Sequence, residues 1–526
     1  MNTAAPVDKL ETGIPGFDFI AEGGLPEGRT CLVAGTSGSA KTVFAVQFLA
    51  EGIERFETPG VFVTFEETPD DIRRNMIGFG WDIPAWEAEG LWRFVDVSPT
   101  LTDDPTVVGD YDLDALISRV THAIKDIGAT RVSLDSIGAI CGQFEDSAIV
   151  RRELFRVAAA LRQANSTAVI TAERSDEYGS IARYGIEEFV ADNVVVLRNA
   201  LEETRRRRTM EILKFRGATH SKGEFPFSVL PDQGIVAIPL SAMELQQTSS
   251  IERSTSGNEM LDEMTGGGFY NDSIILVSGA TGTGKTLLTS EFLAGATEED
   301  GGRALLFAFE EGYSQFMRNA AGWGIDLQRL EDEGRLKVVC KYPEVAGLED
   351  HLIRMKGVIK EFKPTRVAVD SLSALERVSS MKGFREFVVS LTSNIKDDGI
   401  MGLFTATTPT LVGGTSATEA HISTITDAII LLRYAELHGE MLRGITVLKM
   451  RGSNHDKRIR RFTVNDQGLH IGKPFDQLAG VLSGNIHILG PGLQGGSTNQ
   501  HHSEENAESD ALSPGTLSQS TGRDGR

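Results

Sequence analysis

Two eight-residue stretches carry the residue types that hold phosphate: GTSGSAKT at 35–42 and GATGTGKT at 279–286. Glycines let backbone amides turn inward onto phosphate oxygens, and a helix starting there adds the positive end of its dipole. In such a loop the lysine reaches the β- and γ-phosphates and the following hydroxyl ligates Mg²⁺, so Lys41 and Lys285 are candidate phosphate ligands and Thr42 and Thr286 candidate metal ligands. Gly35, Thr36, Ser37, Gly38, Ser39 and Ala40 complete the first candidate ATP loop. Gly279, Thr281, Gly282, Thr283 and Gly284 complete the second. The pattern G-x-x-x-x-G-K-[ST] is met in full at 279–286 and missed once at 35–42, where Ala40 replaces glycine. Alanine keeps the amide. It should be tolerated if the position has helical φ and ψ, and otherwise strains the loop by about 1–3 kcal/mol.

Phosphoryl transfer also needs a carboxylate to orient or deprotonate the nucleophile and a second acid near the metal. Glu66-Glu67 and Glu310-Glu311 follow apolar strand-like runs and suit the first task; Asp135 and Asp370, closing TRVSLD and TRVAVD, suit the second. Acids at strand ends are also ordinary solvated caps, but these recur at fixed distance from a phosphate loop. KFRG (214–217) and KMRG (449–452) each set a Lys and an Arg two apart on one strand face. Lys214, Arg216, Lys449 and Arg451 are either an ordinary basic edge, as the run Arg205 to Arg208 suggests, or cations reaching a neighbour's triphosphate in trans. Where the first half has Glu188 and Phe189, the second has two hydroxyls, Ser423 and Thr424. They are either structural or phosphate acceptors that the first half imitates with a fixed charge.

These matches reflect a duplicated chain. Gly35 and Gly279 are 244 residues apart, as are Glu66 and Glu310, and the Gly23-Gly24 pair and Gly267-Gly268; Asp135 and Asp370, and Lys214 and Lys449, are 235 apart. Each copy alternates strand-like and helix-like segments: RTCLVAG leads into the first loop, SIILVSG into the second, and Leu113, Leu116, Ile117, Val120, Ile124 and Ile127 fall at helical spacing. Such a series implies an α/β fold with a parallel sheet covered by helices on both faces and ligands at the carboxyl ends of its strands. We place the first domain at 1–246, a polar linker (LQQTSSIERSTSG) around its end, the second domain at 247–489, and a disordered tail at 490–526, which is nearly empty of large apolar residues.

The net charge of -22 in 526 residues argues against nucleic acid, which is held chiefly by Lys and Arg. Three scattered cysteines, Cys31, Cys141 and Cys340, read as buried small residues in a reducing compartment. No secretory leader and no apolar run of membrane length is seen, so the expected setting is the cytoplasm with no membrane contact.

From about 8 to 490 the sequence resembles the KaiC family of circadian clock ATPases and autokinases, within the RecA-like P-loop superfamily. The motifs are FVTFEETPDDI, IVRRELFR, IARYGIEEFV, RRRRTMEILKFRG, ATGTGKTLL, AGLEDHL, HISTITDAIILL and KMRGS-x-HDK. The resemblance implies two tandem RecA-like P-loop NTPase domains. The first would be a slow ATPase holding a homohexameric ring with nucleotide at subunit interfaces. The second would be a serine/threonine autokinase and phosphatase acting on a neighbouring subunit. It also implies that Ser423 and Thr424 are phosphorylated, that Glu310 is the catalytic carboxylate with Glu311 beside it, and that Trp323 contacts nucleotide. Arg385, Thr418 and Glu419, an acid one methylene longer than the usual Asp, match the surroundings of that site. The partner KaiB would dock on the first domain through 107–116, with Tyr111 where phenylalanine is usual. The tail past 490 does not match the peptide that receives the activator KaiA, so the resemblance does not carry KaiA over. Two other readings stay open: a RecA-like DNA-dependent ATPase, which the charge argues against, and a nucleotide-assembled scaffold without kinase activity.

Overall fold

The computed structural model describes residues 7–98, 113–141, 147–182, 191–202, 205–239, 249–296, 302–409, 422–437, 439–475, 478–479 and 487–488. The expectations for Tyr111, Glu188, Phe189, Thr418, Glu419 and the 490–526 tail lie outside the described residues.

Each lobe is built on a nine-stranded sheet, and the two sheets have the same strand order. In the first, Trp92–Asp96, Gly60–Thr64, Arg131–Asp135, Thr167–Glu173, Thr30–Gly35 and Asn193–Glu202 run parallel. Arg205–Phe215, Glu224–Leu230 and Gly234–Ala237 then continue antiparallel. The second repeats this with Leu336–Cys340, Ala304–Ala308, Arg366–Asp370, Met401–Thr407, Ile274–Gly279 and Ala428–Leu437, followed by Glu440–Met450, Arg460–Asn465 and Gly468–Pro474. The central strands TCLVAG and IILVSG are buried along their whole length, as strands covered on both faces must be.

Helices supply that cover. Lys41–Phe56 packs one face of the first sheet with Phe44, Phe48 and Leu49. On the other face Leu113–Ile127 buries Leu113, Leu116, Val120 and Ile124, with Ile117 and Ile127 partly buried against the same cluster, as their spacing predicts. The Gly23-Gly24 and Gly267-Gly268 pairs also have a physical reason. A side chain on Gly24 would meet the Leu10 carbonyl at 2.2 Å and one on Gly268 the Ser254 carbonyl at 2.3 Å, and both glycines have positive φ.

Three expectations need correction. The linker reading ran too far: Arg253–Ser254 is a short strand paired with Phe269–Tyr270, and Ser256 N donates to Asp262, so this stretch is built into the second lobe. The run Arg205 to Arg208 is not a basic edge, because its strand lies inside the sheet. Arg205 and Arg207 instead reach across to the second lobe. Arg205 donates to the Glu344 and Ala346 carbonyls, and Arg207 pairs with Glu349 at 2.8 Å and Glu386 at 2.9 Å. Cys31 is buried, as expected, while Cys340 is only half-buried. Burial pushes both thiols above the usual range.

Candidate nucleotide site

Both phosphate loops leave the carboxyl end of the central strand of their sheet and run directly into a helix, Lys41–Phe56 in one lobe and Lys285–Ala294 in the other. Gly38 and Gly282 have φ of 76° and 80°, and Ala40 and Gly284 have φ of 72° and 105°. Ala40 is therefore not helical. It occupies the left-handed region that glycine fills without cost, and the tolerant condition set out for it is not met. The strain, about 1–3 kcal/mol for a non-glycine residue there, must be held by neighbouring contacts.

The loop lysines fold back over their own backbones. Lys41 Nζ donates to the Thr36 carbonyl at 3.0 Å, and Lys285 Nζ to the Gly279 and Ala280 carbonyls at 2.9 and 3.0 Å. Burial lowers both ammonium groups from their ordinary value; Glu173, Asp135, Glu66 and Glu177 oppose this at Lys41, and Asp370 and Glu310 at Lys285. A triphosphate would oppose that shift at either lysine, since negative phosphate favours the protonated form.

The sheet brings the acids to these loops. Asp370 ends the strand next but one to the loop strand, and Thr286 Oγ1 donates to its Oδ2 at 2.9 Å while Thr405 holds Oδ1. Burial raises the Asp370 carboxyl, with the two hydroxyls opposing. Thr171 holds Asp135 in the same way, because the strands of Thr171 and Thr405 occupy equivalent places in the two sheets. A hydroxyl and a carboxylate this close suit Mg²⁺, which takes one or two protein ligands and completes its shell with phosphate oxygens and water. No cluster of three or more His, Cys, Asp or Glu able to hold a metal by itself occurs among the described residues.

The paired glutamates divide. Glu67 accepts from Asn75 at 3.1 Å and Glu311 from Asn319 at 3.3 Å, repeat-equivalent bonds. Burial first, then the nearby Asp135 or Asp370 carboxylate, raises both above the usual glutamate range, which suits a proton acceptor. Glu66 accepts from Ser136 at 3.2 Å, and Glu310 pairs with Arg377 at 3.1 Å. In the first lobe Ser37, Gly38, Ala40, Lys41, Thr42, Glu66, Glu67, Asp135 and Glu173 line one cleft of about 310 Å³. Sequence reading missed Ser136, Asn75, Asn319, Arg377 and Glu173. Glu173 had a usable signal, since it ends the strand paired with the loop strand and faces Gly35 across the ladder.

Ser423, Thr424 and the Lys/Arg pairs lie elsewhere. Asp427 N donates to the Ile274 carbonyl, so the segment 423–427 sits where the loop strand begins, and the loop leaves where it ends, opposite Leu432. Five residues of strand separate those levels, about 16 Å. Lys449 donates to the Ser423 and Thr426 carbonyls at 2.6 and 2.7 Å, and Arg451 to the Thr424 carbonyl at 2.5 Å. The strand ends at Met450, one residue before Arg451. Lys214 makes the matching bond to the Ala191 carbonyl, and Arg216 and Arg451 pair at 3.6 Å with Asp192 and Asp427. Thr424 is exposed and Ser423 half-buried. Trp323 follows the helix Tyr313–Gly322 and packs, partly buried, on the second lobe's core. Arg385 is exposed on the helix Met381–Asp397.

Comparison with known proteins agrees with this geometry. The family model described as "ATPase: KaiC" matches residues 10–242 and again 254–475. The chain is 64% identical over 478 residues to the circadian clock protein KaiC3 of a Synechocystis strain, covering 91% of this chain and 94% of that protein. It is 54% identical over 482 residues to the circadian clock oscillator protein KaiC of Thermostichus vulcanus, covering 92% of each. It is also 54% identical over 478 residues to that of Synechococcus elongatus, covering 91% of this chain and 92% of the relative.

Proposed function

The chain belongs to the KaiC family of ATPases, and from that premise we propose that its second lobe is a serine/threonine autokinase that phosphorylates Ser423 and Thr424 of a neighbouring copy. The observation that carries this reading is the position of the acceptor turn. It lies at the opposite end of the sheet from its own phosphate loop, with Lys449 and Arg451 beside it. Transfer within one copy would have to span the sheet. Two copies packed side by side, the end of one against the loop of the next, bring acceptor, cations and triphosphate together, and repeating that contact around a closed ring gives the homohexamer we propose.

In this mechanism Lys285 and the amides of Gly282 to Thr286 bind the ATP phosphates. Mg²⁺, held through Thr286 and Asp370, would neutralise charge on the phosphate oxygens. The hydroxyl oxygen of Ser423 or Thr424 forms a bond to the γ-phosphorus as the bond to the β-phosphate oxygen breaks. The hydroxyl proton passes to the Glu310-Glu311 pair, and ADP leaves. Glu311, raised by burial, is suited to take the proton, while Glu310 orients the hydroxyl beside Arg377. Lys449 and Arg451, from the copy that supplies the acceptor turn, stabilise charge on the neighbour's triphosphate.

The first lobe, which lacks the hydroxyl pair, is proposed as the ATPase that holds the ring, with Lys41, Thr42, Asp135, Glu66 and Glu67 in the corresponding roles. We propose that lobes 1–246 and 247–489 divide the work in this way, and that the chain serves a timing system in which a KaiB-like protein binds the first lobe. Among the described residues no helix is long and apolar enough to cross a membrane.

The test is mass spectrometry after incubation with Mg²⁺ and ATP. Phosphate should appear on Ser423 or Thr424 and be absent in Glu310→Gln. Hydrolysis and assembly without any phosphate on these residues would replace this reading with that of a nucleotide-assembled scaffold. Following phosphorylation over days with and without a KaiB-like protein tests the timing role.

A further inference from the structure

The two phosphate loops are held by different means. In the second, the staple is internal: Thr283 Oγ1 donates to the Ala280 carbonyl at 2.8 Å. The first has Ser39 at that place, and its Oγ is buried without a hydrogen-bond partner. The same loop carries the left-handed Ala40, where the second has Gly284. The first loop is thus the more strained and the less stapled of the two.

What it has instead comes from outside. Thr36 Oγ1 donates to Glu177 Oε1 at 2.6 Å, and the backbone N–H of Asn199 donates to Glu177 Oε2 at 2.9 Å. Arg198 Nε donates to the Glu177 carbonyl at 3.2 Å, fixing the residue's own backbone. Arg198 and Asn199 belong to the strand paired in parallel with the loop strand, in register Gly35 with Leu197. The Glu177 carboxylate therefore bridges the loop and the adjoining strand, one oxygen on each. In the second lobe Ala280 stands in place of Thr36 and offers no hydroxyl to such a bridge.

We propose that Glu177 is a positioning residue for the first lobe: its carboxylate holds the loop in its nucleotide-receiving shape against the strain at Ala40. Charge-assisted hydrogen bonds are the stronger kind, and a strained backbone persists only where its surroundings over-determine it. The requirement for Glu177 is then conditional on Ala40. A glycine at 40 removes the strain and with it most of the need for the bridge. This rests on the reading that the first loop binds nucleotide.

The experiment uses the full chain carrying Lys285→Ala, so that the first loop dominates binding, and titrates a fluorescent N-methylanthraniloyl ADP with Mg²⁺. Glu177→Ala should weaken binding about tenfold or more, since both bonds to the carboxylate are lost. Glu177→Gln, which keeps the volume and can span the same pair, its amide oxygen accepting from the Asn199 N–H and its amide N–H donating to the Thr36 hydroxyl, should lose less than Glu177→Ala because only the charge is removed. In an Ala40→Gly background the Glu177→Ala effect should shrink to about twofold or less, a coupling that independent sites do not show. An equal loss in both backgrounds, or no loss in either, overturns the proposal while leaving the first loop a nucleotide site. A Lys285→Ala parent that binds no probe at all overturns the reading of the first loop, and this proposal with it.

Discussion

Lys449 Nζ lies 2.6 Å from the backbone carbonyl of Ser423, so a cation proposed to act on a neighbour's triphosphate is tied to the hydroxyl-bearing turn proposed to receive its phosphate. Arg451 grips the next carbonyl, that of Thr424. The two functions travel together as one rigid edge, set by the pairing of Lys449 with Ile429 beside a bulge in the sheet. A copy that presents its acceptor to the next loop presents its cations at the same time.

Transfer between copies is tested by mixing. Chains carrying Lys285→Ala keep the acceptor and lose the loop lysine; chains carrying Ser423→Ala and Thr424→Ala keep the loop and lose the acceptor. Each alone should show phosphorylation lowered about 10²-fold or more. Mixed and reassembled, the Lys285→Ala chains should become phosphorylated. Mass spectrometry of one isotopically labelled partner reads which chain carries the phosphate, and failure of the mixture to recover it would contradict transfer in trans.

Ala40→Gly should stabilise the chain by about 1 kcal/mol. Relief of the left-handed alanine contributes about 1–3 kcal/mol, and the extra freedom of an unfolded glycine takes back about 0.5–1 kcal/mol. The urea midpoint of the nucleotide-free chain checks this, and a lower midpoint would mean that the strain is not localised at residue 40.

Asp370→Asn separates stability from catalysis. Burial raises the Asp370 carboxyl in the folded chain. A raised acid contributes stability that is fully present below its unfolded value, about 3.9, and is lost as pH rises through the folded value. The asparagine variant does not titrate there. Its unfolding midpoint relative to the parent should therefore be higher at pH 8 than at pH 4, measured without nucleotide, while Mg²⁺-dependent turnover of the second lobe falls. A midpoint difference independent of pH would show that folding does not raise the Asp370 carboxyl.

Arg207→Ala should loosen one lobe from the other. Its guanidinium serves Glu349 and Glu386, with side-chain exposures of 14%, 17% and 25%. Removing one partner of a fully buried pair costs about 3–5 kcal/mol, and partial exposure here reduces that to about 2 kcal/mol. Calorimetry should show the unfolding of the two lobes separating into distinct transitions. An unchanged single transition would mean that the lobes are coupled by other contacts.

Much of the fold was legible because the duplication repeats its own evidence. A single GxxxxGKT suggests a phosphate loop; that loop and its near-copy with Ala40, each with its glutamate pair and strand-end Asp at matched spacing, specify the sheet that must carry them. The helix at 113–127 was visible from its apolar period, and the strands from short apolar runs before each loop. Residues 253–257 read as linker because Ser, Thr and Gly look like loop until Arg253–Ser254 finds Phe269–Tyr270, a pairing between residues apart in sequence. The arginine run looked like an edge because composition does not count the strands beyond it.

By itself the sequence determined which chemical groups are present and in what order: two phosphate loops, two pairs of glutamates, two strand-end aspartates, and hydroxyls in one half only. These follow from residue type and spacing along the chain, which folding leaves unchanged. Only the tertiary structure decided which of them meet. It set Ala40 in the left-handed region, joined Thr36 to Glu177 and Glu177 to Asn199, and sent Arg207 into the second lobe. It also put Ser423 at the far end of the sheet from its own loop. Backbone angles and strand order arise from packing between segments distant in sequence, and no local pattern of residues records them.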